Sequence, residues 1–95
     1  MSYTIQITPT AIDDIAEAID HYNALSTDLG NRFADIVAEY FDRIAAWPTA
    51  TAVRYKNVRC KPMKRFPYLI NYTIDESKQS VYILRLFNTW QNPSF

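Results

Sequence analysis

The chain has 95 residues, 48% hydrophobic and 15% aromatic, with one Gly and 10 Lys and Arg against 10 Asp and Glu. That composition fits one small, densely packed domain over 1–95 and excludes intrinsic disorder, and no apolar run reaches the roughly 18 residues of a membrane span. The start Met1-Ser2-Tyr3-Thr4 has neither the basic nor the apolar region of a signal peptide, so a cytoplasmic location away from the membrane is expected.

The zero net charge conceals a division. Residues 1–46 hold Arg32 and Arg43 against eight acids (Asp13, Asp14, Glu17, Asp20, Asp28, Asp35, Glu39 and Asp42), a net of −6. Residues 47–95 hold eight cations (Arg54, Lys56, Arg59, Lys61, Lys64, Arg65, Lys78 and Arg85) against Asp75 and Glu76, a net of +6. A fold that keeps the halves apart has an acidic face and a basic one, and a basic face suits nucleic acid or an acidic partner. Cations on exposed strands also keep a sheet edge soluble, and that simpler use competes with the first.

In chain order, Tyr3 to Thr8 alternates apolar and polar residues, which predicts a strand with one buried face, stopped by Pro9. Thr10 followed by Asp13 predicts a capping-box-like helix start, with Asp13 and Asp14 at the positive end of the helix dipole. Ile12, Ile15, Ile19 and Tyr22 recur at spacings of three and four and predict the buried stripe of this helix. Asn23 to Asn31 is a break, with Ser26, Thr27 and Asp28 as candidate caps and the single glycine, Gly30, near the next helix start. Leu29, Phe33, Ile36, Val37, Tyr40, Phe41 and Ile44 then trace a wider stripe that ends before Pro48. The short connection favours an antiparallel helical hairpin.

In the second half, Val58 to Lys64 reads as a strand with Arg59 and Lys61 on one face and Val58 and Cys60 on the other. Phe66-Pro67-Tyr68 is a turn, after which Tyr68, Ile70, Tyr72 and Ile74 alternate with Leu69, Asn71, Thr73 and Asp75. Glu76 to Gln79 is a second turn. Val81 to Phe87 is apolar almost throughout, as in a central strand buried on both faces, and Arg85 interrupts it. The expected fold is α+β, ordered β-α-α-β-β-β, a helical hairpin on a mainly antiparallel sheet.

Most catalytic constellations are absent from the sequence. One glycine cannot build a phosphate loop, and one histidine, His21, with one cysteine, Cys60, gives no metal-ligand or nucleophile–base spacing. No disulfide, metal or cofactor is expected. The chemistry lies in the run from Arg54 to Arg65, six cations with no acid between them. Such a cluster grips a phosphodiester or stabilises charge at a cleaved phosphate, and Tyr55, Tyr68 and Trp90 are placed to stack bases. Strand scission needs a general acid and base as well, and only lysines, tyrosines or a distant carboxylate are on offer. For Arg85, the structural reading is a partner in Asp75, Glu76 or a helix acid; the functional one is a ligand phosphate or a partner's carboxylate.

The string Val58-Arg59…Met63-Lys64-Arg65-Phe66-Pro67-Tyr68-Leu69-Ile70-Asn71-Tyr72, followed by Val81 to Thr89, resembles the RelE/ParE superfamily of type II toxin–antitoxin toxins. Thr8-Pro9-Thr10-Ala11, Leu29-Gly30-Asn31-Arg32-Phe33 and Asn92-Pro93 agree with it, so the likeness runs along the whole chain. It implies the same element order, a cytoplasmic growth-inhibiting toxin of plasmid-stabilisation type, and a cognate antitoxin that forms a hetero-oligomer with it. RelE-like members cut messenger RNA on the ribosome; ParE-like members act on DNA gyrase. The ribonuclease branch implies cations on the middle strands, here Arg59, Lys61, Lys64 and Arg65. It also implies an acid or base ending the last strand, where this chain has Asn88-Thr89-Trp90. That departure favours the ParE side and a protein that is not an enzyme, with an mRNA endoribonuclease or an inactive binding module as alternatives. In the favoured reading Arg54, Lys56, Arg59, Lys61, Lys64, Arg65, Arg85 and Trp90 meet the target or partner.

Overall fold

A computed structural model describes residues 2–89. Strand β1 (Thr4–Ile7) leads into helices α1 (Pro9–Leu25) and α2 (Leu29–Ala46). A 3-10 turn (Pro48–Ala50) follows, then β2 (Val53–Tyr55), β3 (Val58–Pro62), β4 (Tyr68–Asp75) and β5 (Ser80–Asn88). The five strands form one sheet in the order β1-β5-β4-β3-β2, antiparallel except for β1 beside β5. This is the expected α+β arrangement with one short edge strand, β2, that the sequence reading passed over. No helix among the described residues is long and apolar enough to cross a membrane.

Two details of α1 differ from expectation. Its N-cap is Thr8 rather than Thr10: the Thr8 hydroxyl accepts the Ala11 N–H at 3.2 Å, and Pro9 starts the helix instead of merely ending the strand. The first turn therefore holds no acid. The buried residues are Ala11, Ala18 and Tyr22, with Ile15 and Ile19 only partly covered and Ile12 exposed. Small side chains at positions 11 and 18 let the helix backbone lie close to the sheet, so the larger isoleucines are displaced toward the rim. In α2 the expected stripe holds: Phe33, Val37, Tyr40, Phe41 and Ile44 are buried.

The helices and one face of the sheet enclose the core, with Ile70, Tyr72, Val81 and Ile83 at its centre. An aromatic cluster joins the layers: Tyr22, Phe33 and Phe66 have ring centroids 4.9–5.1 Å apart, and Tyr68 lies 5.4 Å from Phe33. Strand β5 carries a bulge. Asn71 stands opposite Arg85 and Tyr72 opposite Ile83, so Leu84 is an extra residue. Strict alternation from Val81 and Ile83 would turn Arg85 into the core; the extra residue gives that place to Leu86 instead. The other face of β5 is half-buried rather than closed.

Gly30 sets the spacing of the helical hairpin. A methyl group there would lie 2.5 Å from the Asn23 side chain and from the Ile19 carbonyl oxygen, and the Gly30 N–H donates to Asn23 Oδ1 at 2.9 Å. Gly30→Ala is expected to destabilise the protein by about 1–3 kcal/mol through this overlap, read as a lowered urea midpoint at unchanged slope.

Candidate functional site

The interruption in β5 is held from α1. Asp14 accepts from Arg85 Nε at 2.7 Å and Nη2 at 3.3 Å, and its Oδ2 also accepts the Leu86 backbone N–H at 3.0 Å. Thr8 adds two bonds to the same segment: its N–H donates to the Ile83 carbonyl at 3.1 Å and its hydroxyl to the Leu84 carbonyl at 3.2 Å. Arg85 thus has the helix-acid partner expected on the structural reading, and the bond raises the guanidinium pKa further. Beside the pair opens a polar cleft of about 180 Å³ lined by Asp14, Glu17, His21, Tyr68, Arg85 and Asn88. Burial pushes the Tyr68 pKa up to about 12, with the charges of Tyr22 and Glu17 adding to it, so its hydroxyl is a hydrogen-bonding group rather than a base near neutral pH.

The cations of the basic run do not converge on one point. Arg59 stands opposite Tyr72 and Lys61 opposite Ile70, and both partners are core residues, so these two cations share the helix-covered side of the sheet. Arg59 Nη1 donates to the Thr51 carbonyl at 2.6 Å, tying β3 to the segment before β2. Lys61 lines an apolar groove of about 380 Å³ together with Tyr40, Arg43, Ile44, Trp47 and Tyr72. Lys64 and Arg65 are exposed at the β3–β4 turn, past the end of the strand expected to include Lys64. The Lys64 N–H donates to the Tyr40 hydroxyl at 2.8 Å, and Arg65 adopts a left-handed φ of 73°. Arg54 is on β2 and Lys56 in the β2–β3 turn, both exposed. Trp90 and Asn92-Pro93 lie outside the described residues.

His21 and Cys60 are not brought together at a shared cavity. His21 lines the polar cleft, whereas Cys60 is buried opposite Asn71 on the other face of the sheet, where burial raises its thiol pKa. No group of three or more metal-ligating side chains occurs among the described residues. The sequence reading missed the groove and its most prominent member, Trp47, which is 69% exposed although it follows directly on the buried stripe of α2. A large aromatic between that stripe and Pro48 is the signal that marks it.

A family model described as the ParE toxin of type II toxin–antitoxin systems, parDE, matches residues 5–93. None of the curated proteins matches the chain. Among solved structures, the chromosomal ParDE toxin–antitoxin system of P. aeruginosa is similar, with a TM-score of 0.78 at 19% identity over 92% of this chain and 96% of that one. The RelBE2 toxin–antitoxin complex of Mycobacterium tuberculosis has a TM-score of 0.68 at 22% identity, covering 93% and 99%. A mutant of the E. coli toxin RelE in the free state has 0.59 at 10%, covering 98% and 90%. These three likenesses are of fold.

Two outcomes follow from the cleft. Asp14→Ala is expected to cost about 1–3 kcal/mol, because the Leu86 N–H and the guanidinium lose their acceptor. Asp14→Asn, whose amide oxygen still accepts the N–H, is expected to cost less, and denaturant midpoints separate the two. For Tyr68 the folded pKa lies above the unfolded value near 10, so its contribution is complete below pH 10 and is lost as pH rises toward 12. Stability measured from pH 9 to 11.5 is expected to fall, and to fall less steeply in Tyr68→Phe.

Proposed function

The chain belongs to the ParE toxin family of type II toxin–antitoxin systems, and from that premise we propose that it arrests growth in the cytoplasm by binding DNA gyrase until a cognate antitoxin covers it. The observation that carries the choice of a protein target over a nuclease reaction is the dispersal of the cations. A phosphodiester in a transition state needs several positive groups within hydrogen-bond reach of one phosphorus, with an acid and a base in line. Here Arg59 is committed to the Thr51 carbonyl, Lys61 lines a groove under α2, and Lys64 and Arg65 stand at a turn beyond the strand. Arg85, the remaining cation of the middle strands, is held by Asp14. Cations spread over an edge in this way suit docking against acidic protein surface, where each contributes separately to encounter and register.

The test is induction of the chain alone, followed by growth, supercoiling and transcript measurements. Growth arrest, inhibition of supercoiling by purified gyrase, and transcripts without new ends in coding sequence are the expected results. Translation-dependent cuts within minutes of induction would instead establish a ribonuclease and make Arg59, Lys61 and Lys64 the residues to replace first. Full growth while the folded chain accumulates would leave a binding module.

A further inference from the structure

We propose that the groove between the end of α2, the 3-10 turn and β3 receives a segment of the antitoxin that carries a large apolar side chain flanked by carboxylates. This rests on the antitoxin partnership proposed above and assigns it a place.

The groove is built before any partner arrives. Its two tyrosines are fixed by their hydroxyls: Tyr72 donates to the Pro48 carbonyl at 2.7 Å, and Tyr40 accepts the Lys64 N–H. What they present to the groove is therefore ring surface. Ile44 closes the floor and Trp47 stands at the edge with most of its indole in water. An exposed tryptophan beside a preformed apolar hollow is the arrangement in which an aromatic side chain contributes most to association, because little ordering remains to be done.

The rim selects the partner's charge. Arg43 and Lys61 line the groove, Arg59 stands two residues from Lys61 on the same side of β3, and no carboxylate is among the lining residues. No ion pair joins these three cations to an acid among the described residues; Arg43 lies over the Tyr40 ring, 5.4 Å from its centroid. An apolar anchor between acidic neighbours satisfies floor and rim together. A second copy of this chain fits less well, since the large apolar side chains exposed on its acidic hairpin, Ile12 and Leu25, lie at separate ends of α1.

The experiment uses the full chain carrying Trp90→Phe, which leaves Trp47 as the sole tryptophan, titrated with purified cognate antitoxin. Emission from Trp47 is expected to shift to shorter wavelength on binding, and Lys61→Glu in the same background to weaken affinity at least tenfold. Lys61→Met, which keeps the stem and removes the charge, is expected to fall between. Trp47→Ala, which leaves the target-facing cations in place, is expected to arrest growth without antitoxin and to be poorly rescued by it. An unmoved Trp47 emission in a complex that forms, or binding by Lys61→Glu within twofold of the parent, overturns the assignment. So does lost growth arrest with unchanged antitoxin affinity, which makes the groove a target contact, or a dimer of the free chain that Lys61→Glu dissociates. A parent chain that neither arrests growth nor binds antitoxin removes the functional reading itself, and the assignment with it. Should Lys61→Glu fail to fold, Trp47→Ala, at an exposed position, is read by calorimetry with the same tenfold threshold.

Discussion

The seating of α1 on the bulge of β5 is the contact on which the remaining geometry depends. One extra residue, Leu84, reverses the facing of everything after it in the last strand, and a bulge leaves backbone groups without ladder partners. Thr8 and Asp14 take up those groups: two carbonyls and one N–H between Ile83 and Leu86 are bonded to the first two turns of α1. Ala11 and Ala18 make this possible, since larger side chains there would hold the helix too far from the strand for a carboxylate as short as aspartate to reach. The same contact ends the pairing of β1 with β5 at Ile7 and Ile83, because the chain turns into the helix where a further parallel pair would form.

A second junction lies beside the first, where β5 ends. Phe66 enters the aromatic cluster with Tyr22 and Phe33, and the Pro67 carbonyl accepts both the N–H and the hydroxyl of Thr89, at 2.8 and 3.0 Å. The turn between β3 and β4 is thereby locked to the end of β5 and to both helices. The string Arg65-Phe66-Pro67-Tyr68, part of the stretch on which the family resemblance rests, is accounted for by this packing: a left-handed residue, a ring packed against the core, a carbonyl clip and a buried tyrosine. Its constraint is architectural, so it identifies the fold without identifying a reaction.

This explains what could be read from the sequence. Periodicity located both helices, the long strands and the stripe of α2, because large apolar residues there face the core without interruption. It located the buried face of α1 in part: Tyr22 is buried and Ile15 and Ile19 pack against the core, but Ile12 is exposed and Ala11 and Ala18 make the closest approach, since apolar weight and burial part company wherever close approach matters more than area. The three residues of β2 were too short to register as a pattern. Arg85 was legible as an anomaly and its partner class as a helix acid, yet the bulge that turns it outward depends on pairing with β4, which no local pattern encodes. The groove was hidden for the same reason: Trp47, Lys61 and Tyr72 come from three elements.

The charge division has a consequence for how the surface is used. The eight acids of the first half all lie on the helices or at the cap of α2, and all but Asp14 are exposed, while the cations of residues 54–65 lie along the β2–β3 edge and the turn after it. Among the described residues a single ion pair, Asp14–Arg85, crosses between the two sets. Exposed pairs contribute about 0–1 kcal/mol each, so a fold gains little by matching such charges internally and loses little by keeping them apart. Stability here comes instead from the aromatic core and the two junctions, neither of which requires the basic edge to be basic. Two cations of this half are tied into the fold by bonds described above, Arg59 to a carbonyl and Arg85 to an aspartate. Arg43 and Lys61, at the rim of an apolar groove that the fold does not fill, are surface whose chemistry is directed outward.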